Sequence, residues 1–213
     1  SCRWSDITVF SFHPVKIITT GEGGIALTNN KSYMSKMKMF RDNGITREIK
    51  NLKPSERKNL WYYEHRLPGF NYRMNDISAT LGLSQLSRIN KFIKKRNSIA
   101  SFYKKKLKNY PLDFQKILGY NYSSYHLLIV KFDLSKTRLN YRQIFNKFRK
   151  NNIFVNLHYM PLHLSYFFKK KGFRRGNFPN SENYAETSLS IPIYYDLKKK
   201  DILAVIKLIK SFF

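Results

Sequence analysis

The second half of the sequence alternates strand-like and helix-like stretches, and this alternation constrains the fold more than any other feature. Residues 125–133, "YHLLIVKFD", are typical of a strand, and Tyr141–Lys150 is typical of an amphipathic helix. The next four elements are predicted as strand, helix, strand and terminal helix, in the order Ile153–His158, Ser181–Ser188, Leu189–Tyr194 and Lys200–Phe213. Strands and helices that alternate in this way are typical of α/β proteins. The sequence therefore predicts an α/β fold.

The first half contains two short predicted strands and one short predicted helix, followed by a long polar stretch. The strands are predicted at Ile7–Phe12 and Gly24–Thr28, and the helix at Ser32–Phe40. Residues 41–68 show no apolar period. A loop of that length in a compact domain is uncommon and is usually functional or disordered.

One long amphipathic helix is predicted from Asn75 to the region of Leu107. Its apolar residues recur at steps of three to five positions, as helical periodicity requires, at Ile77, Leu81, Leu86, Ile89 and Ile93. Pro111 follows, so a domain boundary is predicted near Asn109. The predicted domains are residues 1–108 and residues 109–213.

The formal net charge of +27 is the most extreme number of this 213-residue chain, and by itself it would indicate a nucleic-acid or other polyanion partner. The lysines are spread along the chain in runs such as Lys104–Lys106, Lys169–Lys171 and Lys198–Lys200, and no nucleic-acid-binding motif accompanies them. A solvated surface is the preferred interpretation. A non-catalytic basic protein that binds nucleic acid or other polyanions stays the alternative function.

The sequence offers no membrane span and no signal peptide, because it lacks an apolar run of about 18 residues and a charged leader. We therefore expect a cytoplasmic location and no membrane partner. The lone Cys2 has no disulfide partner in the chain and no metal-ligand spacing around it. It is interpreted as an incidental thiol, and no metal site is predicted.

Lys16 interrupts an apolar stretch within "SFHPVKIITTGEGGIALTNN", residues 11–30. In a buried strand its amine would need a partner or would lose its charge, and a desolvated lysine is a nucleophile that forms Schiff bases. Alternatively, its stem crosses apolar surface while the amine reaches water. The glycines at 21, 23 and 24 match neither the dinucleotide-binding nor the P-loop spacing, so a tight turn is the simplest interpretation.

Four segments in register resemble the DegT/DnrJ/EryC1/StrS family of sugar aminotransferases. They are "SDITVFSFHPVKIITTGEGGIALTNN" at 5–30, "GFNYRMNDISATLGLSQL" at 69–86, "LHYMPLH" at 157–163 and "SLSIPIYYDL" at 188–197. The resemblance implies a pyridoxal 5'-phosphate-dependent transferase of fold type I. Residues 1–108 would be the end of the large cofactor domain, and residues 109–213 the complete small α/β domain.

The resemblance also implies an activity and partners. The enzyme would transfer an amino group, commonly from glutamate as the amino-acid donor, to the 4-keto carbon of a nucleotide-linked deoxysugar. Family members are usually homodimers with active sites shared at the subunit interface. Nucleic acid would then be an unlikely partner.

The roles of individual residues follow from the matched motifs. Lys16 would hold pyridoxal phosphate covalently and then act as general base. Ser11 matches a serine that binds the cofactor's phosphate, although a hydroxyl in an apolar strand needs a partner in any case. Asn71 would reach the phosphate in the neighbouring subunit, and Arg73 would bind that phosphate or the substrate's diphosphate. Alternatively, "NYRMND" caps the following helix through Asn75 or Asp76.

Three residues of the second predicted domain lie where the resemblance places closure over the substrate. They are His158, Tyr159 and His163. For each of them a role in binding substrate and a role in filling the core remain equally open, and His13 near Lys16 is similarly ambiguous.

The sequence lacks three features that family members carry before the lysine. These are a glycine-containing phosphate loop, a residue that stacks on the pyridine ring, and an aspartate that pairs with the pyridine nitrogen; Asp6 does not correspond to this aspartate. We therefore expect either a fragment of a longer protein or the product of a truncated gene. The chain alone is expected to be inactive and to hold pyridoxal phosphate weakly or not at all.

Overall fold

The computed structural model of the protein describes residues 3–213, so the prediction for Cys2 lies outside the described residues. The chain divides into two compact units, of which the first ends at Ile89 and the second is Asn90–Phe213. This division falls within the predicted first domain. The helix Ile89–Leu107 joins the second unit, and its buried Arg96 explains why. The Arg96 guanidinium donates hydrogen bonds to the carbonyl oxygens of Tyr125 and Ile193. The predicted domains, 1–108 and 109–213, stay a prediction.

The first unit begins with an antiparallel pair of strands, β1 (Thr8–Ser11) and β2 (Gly24–Leu27). Both were predicted, with slightly wider bounds. A Cβ atom on Gly24 would lie 2.7 Å from the carbonyl oxygen of Phe10, so the close pairing needs glycine at this position. Lys16 lies in the turn between the two strands and not in a strand.

Helix α1 (Lys31–Arg41) confirms the predicted helix. It begins after Asn30, whose side-chain oxygen accepts hydrogen bonds from the backbone N–H groups of Ser32 and Tyr33. The expectation that residues 41–68 have no regular structure is wrong. Strand β3 (Ile45–Thr46) pairs there with β4 (Glu64–His65), and two short 3-10 helices, Ile49–Asn51 and Pro54–Glu56, lie between them.

The single long helix predicted from Asn75 is wrong, because the chain forms α2 (Asp76–Leu86) and α3 (Ile89–Leu107). The break falls at Ser87 and Arg88. Their side chains donate hydrogen bonds to the carbonyl oxygen of Ser84, at 2.8 Å from Ser87 Oγ and 3.2 Å from Arg88 Nε. In a continuous helix the Ser84 carbonyl oxygen would accept a backbone N–H from the next turn. Here side chains satisfy it instead, at the end of α2.

The second unit is built on a three-stranded antiparallel sheet in the order β5 (Leu112–Phe114), β6 (Leu128–Phe132) and β7 (Ser188–Ile191). Helices α3, α4 (Tyr141–Lys150) and α7 (Lys199–Lys210) supply buried residues to its core. Helix α4 starts with a capping box in which Asn140 and Gln143 bond reciprocally. The α/β fold predicted for this half is confirmed.

The remaining elements differ from the prediction in three places. Residues Ile153–His158 form no strand, because Asn156 alone pairs with the sheet, through Ser190. The short helix α5 (Tyr166–Lys169) and strand β5 were not predicted. Helix α6 (Pro179–Thr187) confirms the predicted helix near Ser181. Within residues 3–213, every helix is too short or too polar to cross a lipid bilayer.

Candidate functional site

The turn that carries Lys16 is closed by backbone hydrogen bonds. Phe12 N donates to Gly23 O at 2.8 Å, Thr20 N donates to Phe12 O at 3.1 Å, and Lys16 N donates to His13 O at 2.9 Å. Gly21 and Gly23 have φ angles of 80° and 150°, which L-residues with side chains rarely adopt. The glycines therefore serve the tight turn, as the simplest interpretation of the sequence expects.

Helix α2 packs against this turn. Thr19 N donates to Gln85 Oε1 at 3.0 Å, and the buried Thr20 packs so close to Gly82 that a Cβ atom there would lie 2.8 Å from Thr20 Cγ2. Met74 Cε lies 2.7 Å from the position of a Cβ atom on Gly23. The structure therefore brings together two segments that the sequence singled out separately, 5–30 and 69–86.

The amine of Lys16 has no partner among residues 3–213, neither a hydrogen bond nor an ion pair. Its side chain is half-buried, and Ile18, two positions further along the chain, is buried. Ser11 lies exposed at the end of β1, where its Oγ accepts only a long hydrogen bond of 3.4 Å from His13 N. An unpartnered amine and an underused hydroxyl thus stand at the same turn, and both remain available to a ligand.

His13 is exposed on this turn and is not a packed core histidine. Its Nε2 atom lies 3.9 Å from Glu22 Oε1, and both side chains are largely exposed. A contact of this length between two exposed side chains contributes little to stability.

Asn71 and Arg73 lie in a charged cluster at the end of α1, which we call the Arg–Asp cluster: Arg41, Asp42, Asn71 and Arg73. Arg73 Nη2 lies 3.4 Å from Asn71 Oδ1, and Asn71 forms a backbone bridge with Asp42. Arg41 bonds Asp42 through two nitrogens, at 2.7 and 3.1 Å. This hydrogen bonding from Arg41, with a smaller contribution from the Arg73 charge, lowers the pKa of Asp42.

The helix-capping alternative for "NYRMND" is met by Asn75. Its Oδ1 accepts the Ser78 N–H at 2.8 Å, at the start of α2. Asn71 and Arg73 are both exposed and take no part in that cap. Sequence reasoning missed Arg41 and Asp42, which carry no motif and reach the cluster only because residues 70–72 run beside the end of α1.

His158 and Tyr159 belong to the second unit. His158 Nδ1 lies 2.8 Å from Ser190 Oγ, and the carbonyl oxygen of His158 accepts a hydrogen bond from Tyr184 Oη at 3.0 Å. The Tyr159 ring stacks edge-on against His158 and is 70% exposed. The imidazole is therefore held in place, and the phenol is presented to solvent. Sequence reasoning missed Tyr184 and Ser190 as partners, although Ser190 lies within the segment "SLSIPIYYDL".

His163 differs, because it is buried and paired. Its Nε2 atom lies 2.8 Å from Glu182 Oε1, and Glu182 also accepts hydrogen bonds from the N–H groups of Gly176 and Phe178. Burial acts to raise the pKa of Glu182, but these hydrogen bonds outweigh it and lower that pKa overall. For His163 the structure supports the core role. In the described part of the chain, no three metal-ligating side chains of His, Cys, Asp or Glu are grouped to hold an ion.

Fold and motifs together define a class of protein, the sugar aminotransferases. The family model described as "DegT/DnrJ/EryC1/StrS aminotransferase family" matches residues 1–210. The chain belongs to this family, and its mixed α/β structure corresponds to part of the pyridoxal phosphate-dependent sugar aminotransferase fold.

Individual relatives support the same classification. The chain is 35% identical to the UDP-4-amino-4,6-dideoxy-N-acetyl-beta-L-altrosamine transaminase of Campylobacter jejuni, over 92% of this chain and 50% of the relative. It superposes on Helicobacter pylori PseC, an aminotransferase involved in the biosynthesis of pseudoaminic acid, with a TM-score of 0.85 and 28% identity over 98% of this chain and 54% of PseC.

A third match is the PLP form of the putative sugar aminotransferase Spr1654 from Streptococcus pneumoniae. Its TM-score is 0.86 at 26% identity, over 100% of this chain and 53% of that structure. The chain therefore spans about half the length of the relatives it matches.

Proposed function

We propose that this chain serves a pyridoxal phosphate-dependent aminotransferase that transfers an amino group from glutamate to the 4-keto carbon of a nucleotide-linked deoxysugar. The observation that carries the proposal is the half-buried, unpartnered amine of Lys16 within a chain that the family model matches over residues 1–210. Such an amine is what covalent attachment of an aldehyde cofactor requires.

The names of the relatives favour one substrate class. The Campylobacter relative is named as a transaminase of a UDP-linked dideoxy amino sugar, and PseC is described as acting in pseudoaminic acid biosynthesis. The segments "HPVKIITTGEGG" and "NYRMND" are the ones that suggest the same subgroup for this chain. We propose that the substrate is a sugar nucleotide of this class. The reaction would take place in the cytoplasm, and its product would serve the synthesis of cell-surface glycans.

The side chains present fit pyridoxal phosphate chemically. Lys16 offers an amine for the aldehyde, and Ser11, Asn71 and Arg73 offer hydroxyl, amide and guanidinium donors for a phosphate. When bound, the cofactor supplies an electron-accepting ring that makes a neighbouring carbon acidic. In this assignment Lys16 holds the cofactor, Ser11 binds its phosphate, and Asn71 binds the phosphate of the neighbouring subunit's cofactor.

The catalytic work of this chain centres on Lys16 Nζ. As a general base it would move a proton between the carbon that bears the transferred nitrogen and the carbon bonded to the other side of that nitrogen. Arg73 would bind the substrate's diphosphate, since its planar fork matches phosphate oxygens. His158 and Tyr159 would contact the sugar, with Ser190 and Tyr184 holding His158 in place.

Covalent trapping tests the lysine directly. Residues 1–213, joined to the upstream half of the Campylobacter transaminase, are mixed with pyridoxal phosphate, reduced with borohydride, digested and mapped by mass spectrometry. We expect a labelled peptide containing Lys16, with Lys16→Arg removing that label and retaining the charge. Lys36→Arg, on the exposed surface of α1, is the matched control and should leave the label unchanged. Label that maps to other lysines equally in all three chains would contradict the assignment.

The shared active site is tested by subunit exchange. Residues 1–213 are joined to the upstream half of the Campylobacter transaminase, and two variants of this chimera are made: Lys16→Ala, and Asn71→Ala with Arg73→Ala. Each should be almost inactive alone. In a mixed dimer one pocket would carry all the lesions and the other none, so transaminase activity should return to a fraction of the parent's.

Native mass spectrometry must confirm exchange in that mixture. If mixed dimers form and stay inactive, Asn71 and Arg73 serve their own subunit's pocket. The trapping result does not depend on this outcome.

A further inference from the structure

Residues Tyr166–Phe178, here called the aromatic–basic segment, expose aromatic rings beside cationic side chains. Tyr166 is 75% exposed, Phe167 62%, Phe178 48% and Phe173 39%. Every residue of 169–181 is exposed. Large apolar side chains grouped on a surface in this way usually mark an interaction site.

The charge of the segment is uniformly positive. It contains five basic residues and no acidic one: Lys169, Lys170, Lys171, Arg174 and Arg175. The nearby acids are already engaged, since Glu182 is buried against His163 and Glu186 pairs with Arg175. Four cationic groups therefore remain without an acidic partner among the described residues, which suits a negatively charged surface.

Beside the other two lysine runs the adjoining apolar residues are buried, and Lys198–Lys200 has one exposed ring near it along the chain, that of Tyr194 at 48%. Lys104–Lys106 lies between Tyr103 and Leu107, which are 0% and 1% exposed, and Lys198–Lys200 follows Leu197, which is 3% exposed. The apolar residues next to those runs belong to the core. The grouping of four exposed aromatic residues around one basic run thus distinguishes the aromatic–basic segment from ordinary solvated lysines.

Internal contacts hold the segment in place. Glu182 accepts hydrogen bonds from the N–H groups of Gly176 and Phe178, at 2.9 and 3.3 Å, and its own position is fixed by His163. The rings of Phe168, Phe173 and Phe178 form a continuous series with centroids about 6 Å apart, the spacing of favourable ring pairs. A surface that is already ordered loses little conformational entropy when it binds.

We propose that the aromatic–basic segment docks this protein on membrane surfaces rich in anionic lipid. Aromatic rings favour the interface between lipid and water, and each Lys or Arg near an anionic leaflet contributes about 1 kcal/mol. The contact is peripheral. It is independent of the proposed aminotransferase activity and departs from the expectation that no membrane takes part.

The ring faces favour lipid over single-stranded nucleic acid. Base stacking needs free aromatic faces. Here the Lys170 ammonium lies 4.6 Å from the centre of the Tyr166 ring, and the Lys171 ammonium lies 5.8 Å from that of Phe167. A membrane needs no free face, because the rings insert between headgroups while the ammonium groups stay at phosphate level.

Vesicle sedimentation tests the proposal on the full 213-residue chain. Binding is measured to vesicles of phosphatidylcholine and to equimolar phosphatidylcholine and phosphatidylglycerol, at low and high salt. Replacing Lys169, Lys170 and Lys171 by Gln should weaken binding to the anionic vesicles at least about tenfold. Phe167→Ser with Tyr166→Ser should weaken it too. The matched control replaces the exposed Lys150, Lys199 and Lys200 by Gln, with the same change in net charge, and should shift binding less than about twofold.

A fluorescent reporter gives an independent readout. Phe167→Trp is placed in a chain whose exposed tryptophans are removed by Trp4→Phe and Trp61→Phe. Its emission should shift to shorter wavelength with anionic vesicles and be quenched by brominated lipid. Equal weakening in the lysine variant and its matched control, or no spectral shift, overturns the proposal. RNA binding is measured on filters for the same variants. If the variant with Lys169, Lys170 and Lys171 replaced by Gln loses RNA binding but still binds vesicles as strongly as the parent chain, the proposal is overturned in favour of nucleic acid.

Discussion

The two compact units differ in how much apolar surface they bury. The second unit has a continuous core of twenty buried residues, from Ile99 to Phe212, around its three-stranded sheet. Among residues 3–89 the buried apolar side chains are Ile18 and Leu52, and helices α1 and α2 contain no buried residue. Burial of apolar surface is the main driving force of folding. The second unit therefore gains more of this stabilisation than the first.

The first unit leaves large apolar side chains in solvent, including Val9 at 73%, Ile77 at 85% and Leu83 at 68% exposure. Its order comes from hydrogen-bonded turns, helix caps and close backbone approach. Gly44 and Gly69 show this approach most clearly, because a Cβ atom on either would collide with the backbone of the other segment. The comparison teaches that one unit is organised by an apolar core and the other by hydrogen bonds and close backbone contacts.

Truncating a buried side chain in the second unit should have the largest effect on stability. Phe148 is 0% exposed and packs edge-on against Phe212 with ring centroids 5.3 Å apart. Phe148→Ala should lower the free energy of unfolding by about 3–5 kcal/mol. Leu83→Ala, in the first unit, should change it by less than about 0.5 kcal/mol. Urea titration followed by amide hydrogen exchange assigns each change to its unit. Equal losses in the two variants would remove the basis of the comparison.

Removing a carboxylate should also affect the two units differently. Glu182 lies in a buried network, whereas Asp42 forms an exposed pair with Arg41. Glu182→Gln should destabilise the second unit clearly at pH 7. Asp42→Asn should change stability by under about 1 kcal/mol, as exposed pairs do.

The pH dependence of these two variants has a defined sign. The pKa of Glu182 is lower in the folded state, so its ionised form stabilises the fold above the unfolded pKa of about 4.3, and that contribution falls as the pH drops through the folded pKa. The difference between wild type and Glu182→Gln should therefore be largest near neutral pH and shrink below about pH 4. Urea titrations across this range measure it, and a difference that grows toward low pH would contradict the assignment.

Local signals in the sequence determined much of the secondary structure. Asn30 and Asn140 start helices because their side chains bond the first free N–H groups, and these contacts span only two or three residues. The strand pair around Lys16 was likewise visible, since two apolar runs are joined by glycines. Candidate ligand residues such as Lys16 and Asn71 came from motifs in the sequence, and their roles toward a cofactor stay a prediction.

Only the tertiary structure determined the features that depend on contacts between residues far apart in the chain. Helical periodicity continues through Ser87 and Arg88, so it could not reveal that their side chains end α2. Strand β5 becomes a strand only by pairing with β6. The sequence around His163 fits a ligand and a core residue equally well, and only the fold brings Glu182, nineteen positions away, beside it. The free energy of such contacts depends on distances that the order of residues alone does not contain.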